Sequence, residues 1–100
     1  MTSYTLDILC KTVNGTLKGD PGSTFKQLSV DSRTLLSPDE TLFIALRGKR
    51  NDGHRFIPEL IRKGVRQFLV EELPELEDHQ NDVSFVICEN TLVALQEFIR

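Results

Sequence analysis

Ser32 and the basic cluster around Lys49 and Arg50 are the residues of this chain best suited to chemistry, and that chemistry is the holding of an anion. Ser32 lies in Val30-Asp31-Ser32-Arg33-Thr34, and the cluster lies in Arg47-Gly48-Lys49-Arg50-Asn51-Asp52-Gly53-His54-Arg55. The second segment carries four of the twelve basic residues, Arg47, Lys49, Arg50 and Arg55, in a chain whose net charge is -3. Arg and Lys supply charge for a phosphate, while Ser32, Asn51 and backbone amides can hydrogen-bond a flat polar base. Gly48 and Gly53 let the backbone approach a ligand with no Cβ in the way. These residues together suggest a phosphorylated ligand such as a nucleotide. The plain alternative is a charged surface connection with turn glycines.

Other chemistries find no support. There is no Gly-x-x-x-x-Gly-Lys-Ser/Thr loop, so nothing in the sequence cradles the triphosphate of ATP. His54 and His79 are the two histidines, and no Ser or Cys stands near either in a catalytic motif. His54 reads as a structural or ligand-contacting ring rather than a general base. Asp31 and Asp52 could pair as carboxylates, but Asp is also the ordinary residue of turns and caps, and neither is assigned a catalytic role. Cys10 and Cys88 are far apart, with no Cys-x-x-Cys pairing, and read as small buried thiols in a reducing compartment.

The two segments need elements to position them. Leu6, Leu9, Cys10 and Val13 recur at helical spacing and predict a helix from Ser3 to Val13, with Ser3 as its N-cap and Gly15 just past its end. The turn residues Gly19 to Ser23 follow, with a short strand on either side. Phe25 to Val30 is read as a strand, and Thr41 to Leu46, almost wholly apolar and bounded by Ser37-Pro38-Asp39 and Gly48, as an interior strand. Phe56, Ile57, Leu60 and Ile61 predict a helix beginning near Arg55, with Pro58 in its first turn and Gly64 at its end. Gln67 to Val70 and Ser84 to Cys88 are two more strands. Asn90 caps a last helix whose apolar face is Leu92, Leu95, Phe98 and Ile99.

Strands alternating with helices predict an α/β fold with a small, mostly parallel sheet flanked by helices. In such sheets ligands bind beyond the carboxyl ends of strands, where both polar segments fall. A helix N-terminus near Arg55 would add about 0.3–1 kcal/mol toward an anion. Glu71 to Asp82 holds six of the fifteen acids with no Lys or Arg, and reads as a solvated loop.

One hundred residues suffice for one domain, 1–100, burying roughly 60–70% of the surface its unfolded chain exposes. Hydrophobic residues at 39% and charged residues at 27% are ordinary for a globular chain. The acidic balance gives no reason to expect nucleic-acid binding. The longest apolar run, Leu42 to Leu46, is far short of a membrane span, and Met1 to Thr5 lacks the basic start of a signal peptide, so no membrane insertion and a cytoplasmic location are expected. The last helix runs into Arg100 without a stop signal, which suggests a fragment of a longer chain.

The two polar segments also carry a family resemblance. Asp31-Ser32-Arg33 after a strand, then Leu42-Phe43-Ile44-Ala45-Leu46-Arg47-Gly48, then Asp52-Gly53-His54-Arg55-Phe56-Ile57 resemble, in order and spacing, the N-terminal domain of Mur ligases of the MurE and MurF types. Lys63-Gly64-Val65, Phe68-Leu69-Val70-Glu71 and Asn90-Thr91-Leu92-Val93-Ala94-Leu95 extend the similarity over nearly the whole chain. The resemblance implies a domain that holds the UDP end of a UDP-N-acetylmuramoyl-peptide. Its uridine-diphosphate contacts would be Val30, Ser32, Lys49, Arg50 and Asn51, with Asp52, Gly53 and His54 shaping the same loop.

Lys49-Arg50 stands where many MurE enzymes have His-Gln. This departure favours a charge contact to the pyrophosphate over ring stacking on uracil, and with Asp52-Gly53-His54 it tilts the reading toward MurF. MurF adds D-alanyl-D-alanine to the tripeptide precursor, with ATP and magnesium, through an acyl phosphate. Leu36 to Thr41 and Asn51 to His54 further resemble a bacterial subgroup in which MurF is fused to an alanine racemase. The family's ATP loop, magnesium ligands and carbamylated lysine belong to a central domain. The resemblance therefore implies no catalytic residue, metal or cofactor in this chain, and a central ATP-binding and a C-terminal domain in cis. The same module in MurE, which adds a diamino acid or lysine to the dipeptide precursor, and a docking domain without a nucleotide ligand are the alternatives.

Overall fold

The computed structural model describes residues 3–33, 35–75 and 82–99. Its centre is a five-stranded sheet in the order β2-β7-β6-β5-β4, formed by β2 (Thr16–Lys18), β4 (Gln27–Ser29), β5 (Thr41–Ile44), β6 (Gln67–Val70) and β7 (Ser84–Ile87). β4 to β7 run parallel, and β2 closes one edge antiparallel to β7. The expected mostly parallel α/β sheet is therefore present. Among the described residues, no helix is long and apolar enough to cross a membrane.

The apolar runs are explained by burial on both faces. Alternate residues of a strand point to opposite sides, so an interior strand covered on both faces is apolar throughout. Leu42, Ile44, Leu69 and Val86 face α1 (Leu6–Val13) and α3 (Thr91–Phe98), where they meet Leu6, Leu9 and Ala94. Phe43, Ala45, Phe68, Val70 and Phe85 face α2 (Ile57–Lys63), packing with Ile57, Leu60 and Ile61. α2 ends as expected at Gly64, whose φ of +109° lies in the left-handed region that suits glycine.

Four boundaries differ from the sequence expectation. The first helix begins at Leu6, because Tyr4 and Thr5 form a short strand, β1, paired with β3 (Thr24–Phe25). Thr5, not Ser3, caps it, its Oγ1 accepting from the Ile8 N–H at 3.4 Å, and Asn14 rather than Gly15 takes the left-handed position at φ 55°. The single strand expected from Phe25 to Val30 is two strands in two sheets. Phe25 turns into the α1/α3 core beside Tyr4 and Phe98, while the Lys26 N–H bonds the Glu40 carbonyl at 2.8 Å as the chain crosses to the main sheet.

The segment near Arg55 is a 3-10 turn, Gly53–Phe56, and α2 proper starts at Ile57. The last helix is capped by Asn90 as expected, but its inward face is Thr91 and Ala94 with Leu95 and Phe98 partly buried. Leu92 and Ile99 face outward, 51% and 61% exposed. The pull of the Thr91 hydroxyl toward the sheet sets this rotation. The expected solvated loop over Glu71–Asp82 falls partly on 76–81, outside the described residues, as do Thr34, His79 and Arg100. Of the two thiols, Cys88 is buried as expected and Cys10 is half-buried, donating to the Gly15 carbonyl.

One polar side chain inside the sheet ties its layers together. Gln67 is 1% exposed, and its amide nitrogen lies 2.9 Å from the Thr24 carbonyl oxygen, 3.1 Å from that of Asp39 and 3.4 Å from that of Thr41. Gln67→Ala should remove its amide donor from the buried Thr41 carbonyl and from the part-buried Thr24 and Asp39 carbonyls. A loss of about 1–3 kcal/mol in unfolding free energy is expected from urea denaturation, and an unchanged midpoint would contradict this role.

Candidate functional site

The two polar segments leave adjacent strands on the same side of the sheet. Val30 to Arg33 follows β4, and Ala45 to Asp52 follows β5, so parallel pairing sets them side by side at the carboxyl ends. Between them lies an open groove of about 600 Å³, lined by Val30, Ser32, Leu46, Asn51, Gly53 and Phe56, with Asp31, Arg33 and Gly48 completing it. This volume falls within the roughly 300–1,000 Å³ of small-molecule sites.

The segment after β5 makes a hairpin. Arg47 and Asp52 form an antiparallel bridge, and the Gly48 N–H donates to the Asn51 carbonyl at 2.7 Å, which puts Lys49 and Arg50 at the tip. The return depends on Gly53. Its N–H bonds the Leu46 carbonyl at 2.8 Å, and a Cβ there would sit 3.1 Å from both Ala45 Cα and Leu46 N. The opposite wall is a turn held by Asp31, whose Oδ1 accepts from the Arg33 backbone at 2.8 Å while both its oxygens meet the Arg33 guanidinium at 3.1 Å. The Arg33 side-chain and backbone hydrogen bonds hold the Asp31 carboxyl below its usual range.

The eight residues expected at the site divide into three groups. Val30, Ser32, Asn51 and Gly53 line the groove, while Lys49 and Arg50, exposed at the hairpin tip between the lining residues Gly48 and Asn51, are not part of its lining. Asp52 and His54 lie behind the hairpin and are engaged with protein atoms. The His54 Nε2 accepts the Glu71 N–H at 2.9 Å, so the ring proton belongs on Nδ1, which lies 2.6 Å from Asp52 Oδ1. With both nitrogens engaged, His54 is a structural ring. Asp52 also accepts from the His54 N–H at 3.0 Å, so its carboxylate fills the place beside the 3-10 turn where a free helix N-terminus was expected to meet an anion.

Sequence reasoning missed the residues that anchor this arrangement. Arg47 reaches Asp52 at 3.2 Å, Glu71 at 3.2 Å and Glu72 at 2.6 Å. Glu71 in turn accepts from the Thr91 N–H at 3.0 Å and its hydroxyl at 3.2 Å, and that hydroxyl lies 2.8 Å from the Ala45 carbonyl oxygen. The ends of β5 and β6 are thus joined to the start of α3. Arg47 was visible only as one more cation of a basic run, and nothing in spacing pairs it with acids 24 and 25 residues on. Leu46, from the apolar strand pattern, and Phe56, from the helical one, both line the groove. Burial pushes the Cys88 thiol up, aided by the Glu71 carboxylate, so Cys88 serves packing rather than nucleophilic chemistry. Among the described residues, no group of three or more His, Cys, Asp or Glu side chains is gathered to hold a metal ion.

Burial opposes ionisation of Asp52, but the His54 backbone N–H, the imidazole and Arg47 outweigh it and hold the carboxyl below its ordinary 3.8. A depressed folded-state value contributes stability that is present above the unfolded-state value and is lost as pH falls through the folded one. The chain should therefore lose stability below about pH 4, with the Asp52→Asn variant showing a flatter acid limb in urea melts across pH 2–6. Identical pH slopes for the two proteins would contradict the assignment.

Comparison with known proteins accords with this geometry. A crystal structure of MurF from Acinetobacter baumannii superposes with a TM-score of 0.81 at 23% identity, over 97% of this chain and 20% of that one, a likeness of fold. A UDP-N-acetylmuramoyl-tripeptide-D-alanyl-D-alanine ligase of Synechocystis is 38% identical over 69 residues, 69% of this chain and 14% of that protein. UDP-N-acetylmuramoyl-L-alanyl-D-glutamate-2,6-diaminopimelate ligases are similar too. That of Bacteroides thetaiotaomicron is 39% identical over 57% of this chain and 11% of its own length, and that of Clostridium tetani 29% identical over 89% and 18%. The chain spans about a tenth of the length of the first of these curated relatives. The family model described as "Mur ligase family, catalytic domain" matches residues 24–100, well over half of the sequence, and this chain belongs to the Mur ligase family.

Proposed function

We propose that residues 1–100 form the N-terminal, substrate-holding domain of an ATP-dependent Mur ligase of peptidoglycan synthesis, and that the groove takes the UDP end of a UDP-N-acetylmuramoyl-peptide. The observation that carries this is the contrast among cations around the groove. Arg33, Arg47 and Lys63 each meet a carboxylate, whereas Lys49 and Arg50, at the hairpin tip, and Arg55, beside Phe56, form no ion pair among the described residues. Two unneutralised cations on the hairpin that supplies Asn51 to the groove, opposite Ser32, suit a pyrophosphate with a polar base attached. Asp31 and Asp52, the nearby acids, are already engaged with Arg33, His54 and Arg47.

The ligation itself belongs to the rest of the ligase. With no phosphate loop of the Gly-x-x-x-x-Gly-Lys-Ser/Thr form in the sequence, the residues present do not fit the triphosphate of ATP. ATP and magnesium are assigned in this reading to the parent's central domain, with a C-terminal domain following it in cis, in the cytoplasm. This chain's part is to hold and orient the precursor. The MurF type, adding D-alanyl-D-alanine to the tripeptide precursor, is favoured by Lys49-Arg50 and by the Synechocystis relative. The MurE type is the second reading, favoured by the diaminopimelate ligases among the relatives. Assaying the intact ligase with each precursor and its amino-acid partner separates the two.

The double variant Lys49→Ala/Arg50→Ala should bind UDP-N-acetylmuramic acid roughly 3–30-fold more weakly than the parent sequence in low-salt calorimetry, with a shallower salt dependence. Unchanged affinity and salt dependence would instead favour a docking domain whose hairpin is basic for solubility. In the intact ligase, replacing Ser32 with a bulky residue should raise KM for the UDP precursor. Full activity at low precursor would argue against the groove.

A further inference from the structure

Positive charge in this chain is concentrated in one stretch. Residues 47–66 hold seven of the twelve basic residues and two of the fifteen acids, in a chain whose net charge is -3. Arg47 and Arg66 are paired with acids outside that stretch, Glu71 and Asp82. Arg55, Arg62 and Lys63 stand exposed on the turn before α2 and on α2 itself. Glu59, the acid exposed with them, meets Lys63 at 3.7 Å, and Arg55 and Arg62 form no ion pair among the described residues. The segment leading to β5 runs along the same helix. Leu35 packs into the α2 core, and Pro38 Cβ lies 3.4 Å from where a Cβ on Gly64 would stand. The Lys63 Nζ reaches the Ser32 carbonyl oxygen at 3.4 Å. These contacts hold Leu36 beside the C-terminal end of α2. Its side chain is 91% exposed, more than any other large apolar residue described. Arg33 precedes it, paired with Asp31, and Asp39 is the exposed acid that follows.

At 91% exposure Leu36 adds almost nothing to the core, and Arg55 and Arg62 face water rather than carboxylates. A soluble anion would answer to the charge alone. An acidic membrane surface answers to both features, because lipid phosphates attract Arg and Lys while the headgroup boundary accepts an apolar side chain. We infer that the outer face of α2, with Leu36 beside it, docks this domain on a bilayer that contains anionic lipid. Arg55, Arg62 and Lys63 meet the headgroup phosphates, and Leu36 enters the boundary between headgroups and acyl chains. Such a contact is peripheral and reversible and needs no spanning helix. None of Leu36, Arg55, Arg62 and Lys63 lines the groove, so the inference does not rest on the reading of the groove as a UDP site.

The test is flotation of the 100-residue chain with vesicles of phosphatidylcholine alone and with rising fractions of phosphatidylglycerol, at low and at physiological salt. The variants are Arg62→Gln and Leu36→Ser, both at exposed positions, and their amide NMR spectra report folding directly. Binding should be absent on phosphatidylcholine alone, rise with the phosphatidylglycerol fraction and weaken with salt. Arg62→Gln should lower the partition coefficient about fivefold, the loss of one cation at the surface. Leu36→Ser should lower it about 3–10-fold, the loss of a partly buried apolar side chain. No flotation on the most anionic vesicles at low salt, or flotation that either folded variant retains in full, overturns the inference. Salt-sensitive binding to soluble polyglutamate without any flotation overturns it in favour of an acidic protein partner.

Discussion

The structure depends on a closed circuit of polar contacts behind the hairpin. His54 spans Asp52 and the Glu71 N–H, Arg47 spans Asp52 and Glu71, and Glu71 holds Thr91, whose hydroxyl meets Ala45. Each member is held by the next, and the circuit runs from the exposed Arg47 and half-exposed Asp52 inward to the buried Thr91, where an unpaired polar group is costly. The circuit fixes where β5 stops and how the hairpin folds back. It also sets the rotation of α3, which turns Thr91 and Ala94 inward and leaves Leu92 outside. The groove is the other side of the same hairpin. A groove wall made of loop is thereby held by contacts to β6 and α3 as well as by its own residues.

Charge is distributed to match. Acids near the hairpin are consumed by the circuit and by Arg33, while the two cations at the tip are left over. An acidic chain can in this way present a locally basic lip, since what matters to an incoming phosphate is the unneutralised charge within a Debye length and not the net count.

Much of this was legible in the sequence where the signal is local. Thr41–Ile44, Gln67–Val70 and Ser84–Ile87 are strands because an apolar run between turn residues has few other solutions, and Asn90, Pro58 and Gly64 mark helix ends by their own chemistry. The Asp31-Ser32-Arg33 and Arg47–Arg55 segments identified the two sides of the groove. What was not legible depends on distant partners. Phe25 and Gln27 read as one strand because nothing near them reveals that Tyr4 and Thr5 draw one half into a separate sheet. The rotation of α3 is set by Ala45, forty-six residues earlier, so helical spacing alone put Leu92 and Ile99 on the wrong face. Asp52 and His54 were recognisable as unusual, but whether they face a ligand or the protein is decided by Arg47 and Glu71.

The central claim is that the groove between the β4 turn and the β5 hairpin receives the UDP end of a cell-wall precursor. The most direct measurement is a titration of this chain with UDP-N-acetylmuramic acid followed through its backbone amide resonances. The account predicts saturable shifts concentrated at Val30 to Arg33 and Gly48 to Gly53, with small changes across α1 and β2 on the far edge of the sheet. Shifts centred on any other surface, or none at millimolar ligand, would contradict it.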